Sequence, residues 1–597
     1  MDAVKRLEKL VKDFSKEWVR RHPLVGTSLG LHDEFDGLMP DGSLDKELDD
    51  LKFLQRTLCE VQKIDGNRLT PAAAAERDLA LHVLKNWIFD REVVRSWETS
   101  PEAPRVVGLA IFQILSRNYA PLQHRMRVIM KRLERMPKYV DQSRTKLRAP
   151  TKMAVEIELE TITRLPGFFN ILKDIGREHL PITPQRDLNR LIDHAQNSLE
   201  RYSDWLIVDV LPDCREEFVL GEEKFRKLLQ ARGIDLSPGQ ISAAAEAEIP
   251  RLQERQREFG REIRRKAAIE DIRDLIKQQH PENFDGVLRY IRESAGKTRQ
   301  FVTRSRFAAL PEGEQLYVIE TPGFLRHLLP FGGYWPPARH EGRADGYFFV
   351  TPGDCDSDKL KEHNYGALAN FAVQQGYPGR HLQMAWAARH PSPLRALYED
   401  PAVALGWPSY VEERAKEMGY DDTPSARFMQ IQSSVLSAVR AMLDVRISTG
   451  RTGFQEAVEN LIDQLGMDRV CAEAEVRRYI SSPGAHTASY WGRDRLRELR
   501  RWARDRMESR FSETFFHTTL LQSGPVPVPV LKRELELRIA EELRRPPEPP
   551  REESRKAAPS APRAHPKPPP KAAGRARPPA KPARGPRPPA RRPARRR

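Results

Sequence analysis

The segment from Gln374 to Gln383 places polar and cationic side chains on both sides of a Pro-Gly pair, so it is the first place to look for chemistry. A catalytic zinc needs about three imidazole, thiolate or carboxylate ligands and an open position for water. Gln374 offers only a neutral amide oxygen, and Gln375 has no titratable group with which to act as a general base. Arg380 adds a permanent positive charge, and His381 is a single imidazole. These residues alone do not supply zinc chemistry.

The same segment resembles the H-E-x-x-P-G-H-H-x-Q motif of the bacterial "domain of unknown function 885" family, whose members look like gluzincin-type zinc metallopeptidases. The resemblance places the first His of that motif at Gln374, the general-base Glu at Gln375 and the first His of the pair at Arg380. Pro378 and Gly379 match the motif, as do its second His and its Gln. The resemblance therefore implies a degenerate metal site, and it leaves open which His of the family pair binds the metal.

Two later segments resemble the same family and differ from it at chemically important positions. Residues 404–412 resemble E-G-W-A-x-Y-x-E, whose first Glu supplies the third metal ligand and is Leu405 here. Residues 444–450 resemble D-V-x-L-H-T-G, whose His assists the transition state by resemblance and is Ser448 here. Weaker matches extend the resemblance over roughly residues 5–545. The degenerate positions are Gln374, Gln375, Arg380, Leu405 and Ser448.

These replacements predict a catalytically inactive metallopeptidase-like protein, a pseudoenzyme that keeps a cleft for a peptide or a protein partner and needs no cofactor. The residues expected to bind in that cleft are Tyr377, His381, Tyr410, Arg478 and Tyr490.

The vacated metal position should be filled by a side chain, because an empty polar cavity leaves buried groups without hydrogen bonds. We expect Arg380 to point into the cleft and to contact an acidic or amide side chain, with Glu412, Gln374 and Gln375 as the candidates. Leu405 is expected to pack against apolar neighbours from the helix that carries the motif.

Two other functions remain open. The chain could be an unconventional zinc-dependent peptidase with relocated ligands, for which His363, His390 and His486 are within reach in sequence. Zinc is expected only in that case. The chain could also be a polyanion-associated interaction protein that acts through its basic C-terminal tail.

The positive charge of the chain is concentrated in that tail. The whole chain carries a net charge of +16, and residues 546–597 hold sixteen Lys and Arg against three Glu, a net charge of +13. Seventeen of the 48 prolines also lie there. Such a composition cannot bury enough apolar surface to fold, so we predict a disordered tail that binds polyanions non-specifically. The predicted division is a helical body at 1–545 and this tail at 546–597.

The body is predicted to be mainly α: a large helical gluzincin-like fold with a small β-sheet beside a central cleft. Apolar residues recur at three- and four-residue spacing along most of it, which is typical of amphipathic helices. Pro and Gly at Leu165–Gly167 and Ser237–Gly239 predict helix breaks. Two β-type runs, at 315–320 and 346–351, predict the sheet. The predicted helices are 1–21, 44–64, 73–98, 121–147, 185–210, 240–270, 427–448, 453–466 and 491–511.

Sequence features favour a cytoplasmic protein without a membrane span. The apolar run Val106–Leu115 is too short to cross a bilayer, and the first residues lead into a charged amphipathic helix without a secretory signal. The four cysteines are scattered and form no C-x-x-C pair, which is typical of isolated reduced thiols.

Overall fold

Helices form most of the molecule, as the apolar periodicity predicts. The computed structural model describes residues 2–216, 218–352 and 360–546. The longer helices before the sheet are Ala3–Arg21, Leu44–Gln62, Pro71–Phe89, Ala103–Leu115, Leu122–Ser143, Lys152–His179, Ile182–Trp205, Glu222–Ala231, Pro238–Ile263, Ile269–Lys277 and Phe284–Arg304. Those after it are Tyr365–Gln375, Arg380–Ala387, Pro401–Glu417, Pro424–Ser448, Phe454–Leu465, Arg469–Ser481, Ala485–Met507, Glu513–Ser523 and Val528–Arg544.

A three-stranded sheet lies in the middle of the chain. It consists of β1 (Glu314–Glu320), β2 (Gly332–Trp335) and β3 (Ala344–Val350), in the order β1-β3-β2. β1 runs parallel to β3, and β2 runs antiparallel to it. The central strand β3 reads as a nearly continuous apolar run because both of its faces are covered. The predicted mainly α fold with a small sheet is confirmed, while β2, only four residues long, was not predicted.

The two predicted helix breaks have different outcomes. Ser237 caps the helix Pro238–Ile263 by accepting a hydrogen bond from the backbone of Gln240, so this boundary is confirmed. The break at Leu165–Gly167 is wrong, because the helix Lys152–His179 continues through Pro166. Fully buried Leu165 and its buried neighbours supply about 1.5–3 kcal/mol each, which offsets the roughly 3 kcal/mol cost of an internal proline.

The two ends of the helical body share one hydrophobic core. Leu7 and Val11 of the first helix belong to the same buried cluster as Leu531 and Ile539 of the last one. Met1–Arg544 forms one compact unit. The predicted tail, apart from Pro546, lies outside the described residues, so its disorder and its polyanion binding stay predictions.

Two helices that carry site residues cross at very short distance. A Cβ at Gly492 would lie 1.9 Å from the carbonyl oxygen of Ala402, and a Cβ at Gly406 would lie 2.6 Å from the backbone nitrogen of Arg493. Only glycine permits this approach of the helices Pro401–Glu417 and Ala485–Met507. Among the described residues, no helix combines the length and the apolar character that a membrane span requires. The cytoplasmic location stays a prediction.

Candidate functional site: a cavity beside the Gln374–Gln383 segment

The Gln374–Gln383 segment folds as a helix, a tight turn and a second helix. The helix Tyr365–Gln375 ends at Gln375, and the helix Arg380–Ala387 begins after the turn. A Cβ at Gly379 would lie 2.0 Å from the carbonyl oxygen of Gln374, so the turn requires glycine there. The Trp407 indole donates a hydrogen bond of 3.0 Å to the carbonyl of Pro378, which fixes the turn against a neighbouring helix. The turn therefore holds Gln374 and Arg380 in fixed positions.

Gln374 is hydrogen-bonded to a buried carboxyl group. Its Nε2 donates to Oε2 of Glu412 over 2.8 Å. Only 2% of Glu412 is exposed, and this burial raises the pKa of its carboxyl group to about 8. At neutral pH an amide and a largely protonated carboxyl group therefore face each other where the family motif has its first His.

Arg380 contacts an acidic and an amide side chain, as expected, but its partners are not the predicted ones. It forms an ion pair with Glu399 and donates to Oε1 of Gln383 over 3.0 Å. It also donates to the backbone carbonyl of Ala404 over 3.2 Å. Arg380 is the first residue of its helix, so its side chain extends toward the chain that enters the helix Pro401–Glu417. Glu412, which pairs with Gln374, lies more than two helical turns further along that helix.

His381 is enclosed in a polar network that uses both of its ring nitrogens. Nε2 lies 2.8 Å from Oε2 of Glu314, and Nδ1 lies 2.9 Å from the hydroxyl of Tyr334. The same carboxylate accepts hydrogen bonds from Tyr377 and, over 2.8 Å, from Arg299. Burial alone would raise the pKa of Glu314, but its hydrogen bonds with His381 and Tyr377 hold that pKa below the usual value. His381 and Tyr377 therefore stabilise the β1 side of the fold instead of facing the cavity.

Leu405 is only partly buried. It is 38% exposed, and the apolar neighbours expected for it from the motif helix stay a prediction. Its backbone carbonyl accepts a hydrogen bond of 2.8 Å from the Ser489 hydroxyl, and Ser409, one turn further along, lines the cavity described below. Leu405 thus borders the cavity from a helix face that the core does not cover.

Ser448 lies far from the Gln374 turn. It ends the helix Pro424–Ser448, 15 residues after Ser433, whose side chain hydrogen-bonds to Glu412, the partner of Gln374. At 1.5 Å per residue the two positions are separated by roughly 22 Å. The carbonyl of Ser448 accepts from the backbone of Gly221 over 2.9 Å. The family resemblance suggested that Ser448 lies near the metal position, but the structure places Ser448 away from Gln374.

A cavity of about 250 Å³ opens beside Gln374 and Gln375. Its walls come from the start of β2 and from six helices, which are Ile269–Lys277, Tyr365–Gln375, Pro401–Glu417, Pro424–Ser448, Arg469–Ser481 and Ala485–Met507. The polar and charged side chains that matter for its chemistry are Gln374, Gln375, Lys277, Arg440, Arg478 and His486. The central cleft expected from the sequence is thus present, with cations along one wall.

Two arginines on that wall share one buried carboxylate. Arg440 donates twice to Glu475, over 2.8 Å each, and Arg478 donates over 3.1 Å to the same group. The Tyr479 hydroxyl donates to it as well, over 3.0 Å. Burial alone would raise the pKa of Glu475, but Arg440 and Arg478 lower it to about 2. Burial and the same two arginines hold the pKa of His486 well below its usual value, so that imidazole is neutral.

Of the five predicted binding residues, the structure brings Arg478 to the cavity. Tyr410 is buried and its hydroxyl lies 2.8 Å from Nε2 of His517. Tyr490 is also buried and donates to Glu248. Both aromatic side chains therefore pack in the body and do not line the cavity.

Arg440 and Lys277 were not predicted as site residues. Each is an isolated cation in an amphipathic helix. A solvent-exposed helix face carries such cations as often as a binding site does, so the sequence does not single them out. Only their meeting across the cavity distinguishes them.

The residues present do not fit a catalytic metal. The position of the first ligand holds an amide, the position of the third holds an exposed leucine, and His381 is occupied on both nitrogens. Within residues 2–216, 218–352 and 360–546, no group of three or more His, Cys, Asp or Glu side chains could hold a metal ion. We therefore derive no reaction step through a metal.

Comparison with known proteins agrees with this architecture. Two solved structures share the helical fold, and both carry the description "putative lipoprotein". The one from Shewanella oneidensis, described as of unknown function, superposes with a TM-score of 0.71 at 21% identity and covers 89% of this chain and 99% of its own. The one from Colwellia psychrerythraea gives 0.77 at 18% identity, over 91% and 100% of the two chains. No curated protein matches the chain.

The fold thus defines a large α-helical protein with a cavity that is lined by charged and apolar side chains. A family model described as "Bacterial protein of unknown function (DUF885)" matches residues 23–535, so the chain belongs to this family.

Proposed function

We propose that the protein is a catalytically inactive member of its family that binds a peptide or a partner protein through the cavity beside Gln374. The hydrogen bond from Gln374 to Glu412 carries this proposal. It ties the side chain at the first ligand position to a buried carboxyl group, and it leaves the cavity next to it open. A metallopeptidase-like scaffold with an intact cavity and replaced ligands retains binding without hydrolysis.

Relocated ligands are the weaker alternative. Nε2 of His363 donates to the backbone carbonyl of Thr351 over 2.8 Å, and His390 belongs to a different surface depression beside Arg395. His486 lines the cavity but stands next to two arginines, which repel a cation. These surroundings support a metal-free site.

Elemental analysis of the purified full chain, together with a peptide-hydrolysis assay, tests the proposal. We expect far less than one zinc per chain after purification without chelators, and no hydrolysis when zinc is added. Near-stoichiometric zinc that survives dialysis and accompanies hydrolysis would overturn the proposal.

Replacing the degenerate positions by the residues of the family motif tests the alignment on which the proposal rests. The variant Gln374→His, Gln375→Glu, Arg380→His, Leu405→Glu should gain zinc, since all four positions lie at the turn or at the border of the cavity. Adding Ser448→His should change the zinc content little, because Ser448 lies roughly 22 Å from Ser433 along the same helix. If zinc bound only after the Ser448→His change, the metal site would not lie beside Gln374 as the alignment requires.

A further inference from the structure

The arginine pair at the cavity wall carries one positive charge more than its partner neutralises. Arg440 and Arg478 share the single carboxylate of Glu475. His486 beside them stays neutral, as its lowered pKa indicates. On the opposite part of the wall Lys277 forms an ion pair with Glu362, so that pair adds no net charge. Arg273 also lines the cavity and forms no ion pair within the described residues, so the charged side chains around the cavity leave a net positive charge for a ligand.

Both arginines can be reached from the cavity. Their side chains are 23% and 29% accessible, and both line the cavity, whereas the carboxylate of Glu475 behind them is fully buried. Nε of Arg478 is buried and has no hydrogen-bond partner among the described residues. That nitrogen is closed to a ligand, so a ligand contacts the accessible parts of the two guanidinium groups, where charge-assisted hydrogen bonds are stronger than neutral ones.

The size and the lining of the cavity limit the ligand. A volume of about 250 Å³ is below the roughly 300–1,000 Å³ of pockets for drug-sized molecules. Apolar side chains, among them Phe371, Met429 and Leu436, line the space next to the arginines. Since the proposed ligand is a peptide, the anionic group that it offers at its end is its terminal carboxylate.

We propose that Arg440 and Arg478 form a subsite for the terminal carboxylate of a short peptide, about two residues long. The planar guanidinium groups match the geometry of a carboxylate, and the apolar lining accepts the side chain of the last residue. This inference rests on the proposed function, since it names the ligand class of the same cavity.

The experiment compares two pools of dipeptides that differ only at the C-terminus. One pool has free carboxylates and the other has C-terminal amides, and binding to the full chain is followed by isothermal titration calorimetry and by thermal shift. We expect the free acids to bind at least about tenfold more tightly than the amides, because the charge-assisted hydrogen bonds are lost.

Variants of neighbouring arginines separate the subsite from general charge effects. Arg478→Met should reduce the preference for free acids at least about tenfold, while Arg440 still pairs with Glu475 and keeps the helices together. Arg478→Lys should retain part of the preference. Arg477→Met is the matched control, since Arg477 pairs with Glu160 and does not line the cavity.

The outcomes distinguish this inference from the proposed function. Equal binding of acids and amides, or no binding of either, overturns the carboxylate subsite. An unchanged preference in Arg478→Met overturns it too. If acids and amides bind equally and the protein shows neither zinc nor hydrolysis, the proposed inactive, ligand-binding function still holds. Zinc-dependent cleavage of the dipeptides would overturn that function.

Discussion

The two halves of the Gln374–Gln383 segment have opposite surroundings. The first half, with Gln374 and Gln375, faces the cavity. The second half, with Tyr377 and His381, is locked into the buried network around Glu314. The second half matches the family motif at four residues that pack in the body, which are Pro378, Gly379, His381 and Gln383. Gln374 and Gln375, where the sequence departs from that motif, line the cavity instead.

The largest effect is expected at Gly379, in the turn of this segment. Gly379→Ala should abolish folding or lower the free energy of unfolding by more than about 4 kcal/mol, because the added Cβ meets two backbone carbonyl oxygens at 2.0 and 2.2 Å. Urea denaturation followed by circular dichroism measures this. Gly239→Ala is the control, since nothing lies within 4 Å of a Cβ there. Similar stability of the two variants would contradict a tightly packed turn.

The buried network of the second half should come next. Glu314→Ala leaves His381, Tyr377 and Arg299 without their shared acceptor, and we expect a loss of about 4 kcal/mol. Glu312→Ala, an exposed position two residues earlier, should cost less than about 0.5 kcal/mol. The same chemical denaturation compares them. If both variants were equally stable, His381 would be free for another role.

On the cavity side, the expected effect depends on pH. The folded-state pKa of Glu412, about 8, is above its unfolded value, so the folded protein holds a proton that the unfolded chain has released. Stability from this group is present below about pH 4.5 and is lost as the pH rises through about 8.

Between pH 5 and pH 8 the protein should therefore lose about 3 kcal/mol more than the variant Glu412→Gln, which cannot titrate. Denaturation curves across that range check this. Glu417→Gln, at a side chain that is 47% exposed, should leave the slope unchanged. If the free energy of unfolding of Glu412→Gln and of the unmodified protein changed in parallel with pH, Glu412 would be ionised in the folded protein.

The smallest effect is expected at Leu405. Leu405→Ser should change the free energy of unfolding by less than about 0.5 kcal/mol, because the side chain is 38% exposed. Leu382→Ser, at a fully buried position of the second half, should cost more than about 3 kcal/mol. Comparable losses at both positions would mean that Leu405 is buried in solution.

Parts of this site could be predicted because they depend on residue type. An amide cannot act as a base, and a leucine cannot bind a metal, in any conformation. The need of Arg380 for an acidic or amide partner was likewise predictable from its charge. Which partner it finds was not, since Glu399 precedes the helix Pro401–Glu417 and Glu412 lies within it, and only the packing of that helix decides which of them Arg380 meets.

By itself the sequence determined the mainly α class, two of the three strands and the family. Local periodicity and side-chain chemistry are sufficient for these. Only the tertiary structure decided that His381 is buried, that Ser448 lies apart from Gln374, and that Arg440 and Arg478 share Glu475. Such facts depend on contacts between residues distant in the chain. Burial, ion pairing and cavity shape arise when the helices pack, and no local pattern encodes them.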